Sequence, residues 1–222
     1  PPAAVWQTLT PDTFTSAAGA KLVRNDDLSL TASGPNPAKD DFIVTVKTKL
    51  GGITGFRLEA LPDATLVNSG PGRADNGNFV LSEFKVTARP LDPKSKAKPV
   101  TVKVKGTAAT FEQKNYPLSA VTDNKRGSGW AVAPEFGKDH AAVFEIEGEP
   151  VGFEGGTELE FQLVFRGFFG LGKLRLGFSN AGQTPALTEA KGEQAVREVA
   201  HALRHPQHAP PIAGVLVQHY LR

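Results

Sequence analysis

Thr157-Glu158-Leu159-Glu160-Phe161-Gln162-Leu163-Val164-Phe165 alternates Leu159, Phe161, Leu163 and Phe165 with Glu158, Glu160, Gln162 and Val164. A period of two turns one side of an extended segment toward a core and the other toward water, so the stretch predicts a half-buried β-strand. The same period recurs along the chain. Phe42, Val44 and Val46 alternate with Ile43, Thr45 and Lys47 from Asp41 onward. Gly51-Gly52 breaks that run, and Ile53 to Leu61 resumes with Phe56, Leu58 and Ala60 on one face. Phe79 to Ala88 follows, with Phe79, Leu81 and one of Phe84 and Val86 marking its core side. Val100, Val102 and Val104 alternate with Thr101, Lys103 and Lys105, as a lysine-bearing edge strand does. Trp130–Ala133, Ala141–Glu147 and Leu174–Ser179 complete the set. Many short strands separated by Gly- and Pro-rich turns predict an all-β, antiparallel sandwich rather than a parallel α/β sheet.

The flanks read differently. Residues 1–41 carry turn formers and isolated apolar anchors, among them Trp6, Leu9 and Phe14. They predict an extended lead-in with one or two short strands that packs on the sandwich of residues 42–182. Residues 183–222 predict a C-terminal helical tail leading to a following domain. Helical spacing of Ala195, Val196, Val199 and Leu203 falls over Thr188–Leu203, and a second short helix is expected over Pro211–Tyr220.

Composition narrows the function classes. The 222 residues are 40% hydrophobic and 22% charged with a net charge of +2, too small to imply a polyanionic partner, so nucleic acid is not expected. No apolar run approaches the ~20 residues that cross a bilayer, so no membrane span is expected. Cysteine is absent, which removes disulfides, thiolate metal sites and thiol nucleophiles together. Methionine is absent as well, and the opening Pro1-Pro2 is expected of a segment of something longer.

No catalytic arrangement is legible. Gly127-Ser128-Gly129 is a tight turn, not a nucleophile elbow. His201 and His205 are spaced i, i+4 without the glutamate of a metalloprotease helix, and read as solvated. Glu145, Glu147, Glu149, Glu154, Glu158 and Glu160 are read as alternating with apolar residues along strands, as on the solvated face of a sheet, rather than forming a glycosidase pair. The lysines between Lys94 and Lys105 lack interleaved aromatics and read as a solubilising edge.

Two loops combine chemistry of another kind. Gly70 to Asn78 joins a rigid turn and the forked cation of Arg73 to several amide and carboxylate oxygens. Asp123 to Trp130 joins Asp123, Asn124, Arg126 and Ser128 to flexible glycines and an indole. Sugar recognition uses such forks for hydroxyl pairs and an aromatic face for the apolar side of the ring. Calcium takes oxygens that the same loops carry. The competing reading places Trp130 in the core and leaves the Asn and Asp residues to make turns.

The segment from Asn115-Tyr116-Pro117 through Val121-Thr122-Asp123 to Gly129-Trp130-Ala131-Val132 resembles the Asp loop of discoidin-like, galactose-binding-fold (jelly-roll) domains. Longer blocks, Gly52–Asp63, Gly70–Arg73 with Asn76–Phe84, and Gly172–Leu176, resemble a middle region of planctomycete multidomain proteins that begin with a cytochrome-c-like domain. That resemblance implies an internal sandwich of a larger exported protein, periplasmic or extracellular. The discoidin likeness implies a structural Ca2+ held by Asp123, Ser128 and Glu83 with the Ser82 carbonyl, although Thr122 stands where those domains have their first Asp. Together these readings predict a non-catalytic carbohydrate-binding module that holds its parent at a polysaccharide or other glycan. Trp130 and Arg73 would contact sugar, with Asp123, Asn124, Arg126 and Asn78 as hydrogen-bonding partners. The alternative is a structural or interaction domain that organises neighbouring domains of the same polypeptide, or subunits, without a sugar ligand.

Overall fold

The computed structural model describes residues 6–123, 125, 127–167 and 169–180. The helices expected over 188–203 and 211–220, with their histidines, lie outside the described residues.

Twelve strands are present among the described residues: β1 (Gln7–Thr8), β2 (Thr13–Ser16), β3 (Lys21–Arg24), β4 (Leu30–Ser33), β5 (Lys39–Thr48), β6 (Gly55–Ala60), β7 (Glu83–Pro90), β8 (Val100–Val102), β9 (Val104–Ala109), β10 (His140–Ile146), β11 (Thr157–Arg166) and β12 (Lys173–Ser179). They form two antiparallel sheets. One has the order β3-β4-β12-β6-β10-β9, with β1 also paired to β12; the other has the order β2-β5-β11-β7-β8. The chain is an all-β sandwich.

Alternation produces this packing directly. In β11, Leu159, Phe161, Leu163 and Phe165 are fully buried, while Glu158, Glu160 and Gln162 face out. β5 and β7 flank β11 in register, bringing Val44 and Val86 to either side of Phe161. The sheets meet through aromatic rings. Phe84 of β7 stacks on Phe144 of β10 at 4.0 Å, and Phe56 of β6 stands edge-on to Phe161 at 5.1 Å. Each such ring contributes about 1.5–3 kcal/mol by leaving water. Outside, Arg89 faces Glu160 and Glu158, so these acids belong to a charge-paired sheet surface.

Four expectations need correction. The lead-in contains four strands rather than one or two: β1, β3 and β4 enter one sheet and β2 the other. Phe84 and Val86 both face the core, since residues two apart in a strand share a face. Trp130–Ala133 is not a strand; Trp130 alone makes an antiparallel bridge, to Leu81. The lysine-bearing run is also divided. β8 edges the five-stranded sheet and β9 the seven-stranded one, so the chain changes sheets at Lys103.

Candidate functional site

The segments around Arg73–Glu83 and Asp123–Trp130 come together, but through backbone rather than through an exposed cluster of side chains. The Leu81 amide donates to the Trp130 carbonyl at 3.0 Å, and the Trp130 amide donates to the Leu81 carbonyl at 2.9 Å. Gly129 makes the approach possible. Its φ is +156°, and a Cβ there would meet the Leu81 carbonyl oxygen. Gly72 does the same for the first loop, since a Cβ would strike the Asn78 carbonyl.

Trp130 does not offer a sugar platform. The ring is 0% exposed, stands edge-on to Phe79 at 5.1 Å, and donates its Nε1 hydrogen to the Phe111 carbonyl at 2.9 Å. An indole flanked by glycines fills the core where the loops close, because its large apolar surface gains most there and its one donor finds a partner.

Arg73 is equally engaged. Nη1 donates to the Pro35 carbonyl at 2.9 Å and Nη2 to the Gly34 carbonyl at 2.7 Å, while Asn36 Nδ2 donates to the Arg73 carbonyl. The guanidinium therefore staples its loop to the Ser33–Pro37 turn. Burial lowers its pKa from the usual arginine value, and the Asp40 charge opposes that shift. Asn78 is buried, donating from Nδ2 to Gln113 Oε1 at 2.9 Å and accepting from the Val132 amide at 3.2 Å.

Asp123 is exposed but closes its own turn. Its Oδ1 accepts from the Lys125 amide at 2.7 Å and from the Ser128 hydroxyl at 3.1 Å. Asn124 and Arg126 lie outside the described residues. Arg73 and Asp123 thus sit on different loops with separate partners, and only Asn78 and Trp130 share a neighbourhood, in the interior.

The side chains expected to hold calcium have partners within the protein. The Glu83 carboxylate is paired with Lys85, the Ser82 hydroxyl accepts from the Arg166 amide at 3.1 Å, and Ser128 already donates to Asp123. The cations Lys85 and Arg166 both stand close to Glu83. Among the described residues no group of three or more His, Cys, Asp or Glu side chains is placed to hold a metal.

One further feature lies outside the residues singled out from sequence. Among the described residues, Lys39, Gly127, Arg166 and Gly167 line a partly open depression of about 330 Å³. Arg166 is fixed there by Asp41, whose two carboxylate oxygens accept from Nη1 and Nη2, and Gln162 Nε2 adds a bond to the same carboxylate at 3.0 Å. That pairing holds Arg166 above the usual arginine pKa. The available signal was that Arg166 continues the outward-facing positions of β11; its meeting with Gly127 depends on a contact that local pattern does not encode.

No protein-family model matches the chain, and no curated protein matches it.

Proposed function

We propose that this chain is a non-catalytic structural or interaction module, a braced sandwich that packs against neighbouring domains of its own polypeptide. The observation supporting this is how the recognition loops use their polar groups. The described side chains that suggested a ligand are engaged in bonds within the chain: Trp130 to Phe111, Arg73 to Gly34 and Pro35, Asn78 to Gln113 and Val132, and Asp123 to Lys125 and Ser128. Recognition of a sugar through these groups requires breaking bonds that hold the loops. A buried or half-buried partner left unmatched costs about 1–3 kcal/mol each, comparable with the whole gain from a shallow sugar contact.

The test is a glycan array, with pull-down on insoluble polysaccharides, using the chain and its Arg73→Gln and Asp123→Asn variants. The expected result is no retention that depends on either residue. Binding that both variants abolish while remaining folded restores the carbohydrate-binding reading and removes this one.

A further inference from the structure

We propose that the depression between Lys39, Gly127, Arg166 and Gly167 binds a small oxyanion: a carboxylate or sulfate group carried on a molecule of about one sugar residue. The site takes Gly127 from the Asp123–Trp130 loop but uses none of the side chains engaged there, so it stands whether or not the structural reading above holds.

Four observations carry it. First, the volume of about 330 Å³ sits at the lower end of the ~300–1,000 Å³ range of small-ligand pockets, enough for one compact residue and not for a long chain segment. Second, both side chains that the described residues place on its wall are cations, direct cross-strand partners in the β5–β11 ladder, Lys39 opposite Arg166. Third, Arg166 is oriented but not used up. Asp41 takes the end of the guanidinium through Nη1 and Nη2, and Nη1 also reaches the Asp40 and Phe165 carbonyls. The Nε hydrogen and the second Nη2 hydrogen, which form the side-on fork, have no acceptor among the described residues. A planar carboxylate or a sulfate edge matches that fork with two parallel bonds. Fourth, the other described lining residues are glycines: Gly127 at φ +86° and Gly167 at φ +85° each leave open space where a Cβ would stand.

The surrounding acids have their oxygens engaged elsewhere. Asp40 is 5% exposed, accepting from the Ser16 hydroxyl at 2.6 Å and the Ala18 amide at 2.9 Å, and Glu83 is paired with Lys85. Asp41 is matched by Arg166 itself, and the Lys39 ammonium has no ion-pair partner among the described residues, so it is the cation left available to an incoming anion.

The experiment is a 15N-labelled amide titration of the whole chain with galacturonate, sodium sulfate and galactose at constant ionic strength. Saturable shifts at the Gly127 and Gly167 amides are expected with galacturonate or sulfate and not with galactose; the two anions separate carboxylate from sulfate as the recognised group. Lys39→Gln, at an exposed position, is expected to weaken the anion response about fivefold while leaving Tm unchanged. Arg166→Lys keeps the charge but loses the fork, and should weaken it further. Absence of shifts at these amides up to about 50 mM anion, far above millimolar affinity, overturns the proposal. So does an equal response to galactose, or a response that Lys39→Gln leaves intact.

Discussion

Replacing Trp130 separates a core role from a recognition role more sharply than any other substitution. Trp130→Ala empties a fully buried site against Phe79 and frees the Phe111 carbonyl. Large-to-small changes of a buried aromatic ring cost about 3–5 kcal/mol. Trp130→Phe keeps a ring but loses the Nε1 donor, and a half-buried carbonyl without its partner costs about 1–2 kcal/mol. For a chain of this size each kcal/mol moves Tm by about 2–4 °C, so the alanine variant should melt about 6–20 °C lower and the phenylalanine variant about 2–8 °C lower. Urea unfolding followed by circular dichroism supplies the free energies. The chain has only two tryptophans, so a Trp6→Phe background isolates the second one by fluorescence. Its emission should be blue-shifted and protected from acrylamide in the native state. A Trp130→Ala variant within about 0.5 kcal/mol of the parent, the range of an ordinary surface change, would refute the argument, as would free quenching by acrylamide.

Arg73→Gln should cost about 1–2 kcal/mol, because two carbonyls of the Gly34–Pro35 turn lose a charged donor; limited proteolysis should then cut that turn faster than in the parent. Gly72→Ala should cost at least about 1–3 kcal/mol through backbone overlap with Asn78, read from urea midpoints at unchanged m. Stability should also decline in acid. For Asp41 and Asp27, burial pushes the pKa up, but hydrogen bonds from Arg166 and Gln162 in one case and Ser29 in the other outweigh it, so both lie below 3.8. Asp63 is lowered by the Thr65 hydroxyl and amide. A depressed folded pKa stabilises fully above the unfolded value and is lost as pH falls through the folded one. Tm should therefore be insensitive to these groups at neutral pH and drop below about pH 4. Asp41→Asn should lower neutral stability and flatten the acid limb of the Tm–pH curve.

The strands that alternate over many residues were legible because β5, β11 and β12 repeat an apolar side chain at every second position. That alone fixes which face is buried. β1 to β4 were not, since two to four residues of mixed polarity such as Thr13–Ser16 carry too short a pattern, and only their pairing with β5, β4 or β12 defines them. Trp130 shows the same limit at the candidate site. An indole after Gly127-Ser128-Gly129 has the same local chemistry whether it faces a sugar or Phe79, and the bridge to Leu81, 49 residues earlier, decides between them. Asn78 and Arg73 were chosen for the hydrogen-bonding capacity they do possess; sequence gave no sign that Gln113 and the Pro35 turn already use it.

The order in which the two sheets are completed has a consequence for biosynthesis. β11 is the middle strand of one sheet, and β12 lies inside the other, where it receives β4, β6 and β1. Gln7 finds its partner only at Phe178. A ribosome releasing this chain must therefore extrude nearly every strand before either sheet has its centre, and β5, β6 and β7 wait with unpaired edges and bare phenylalanines. Closing such distant contacts is slow, so the nascent chain is at its most aggregation-prone just before its last described strand emerges.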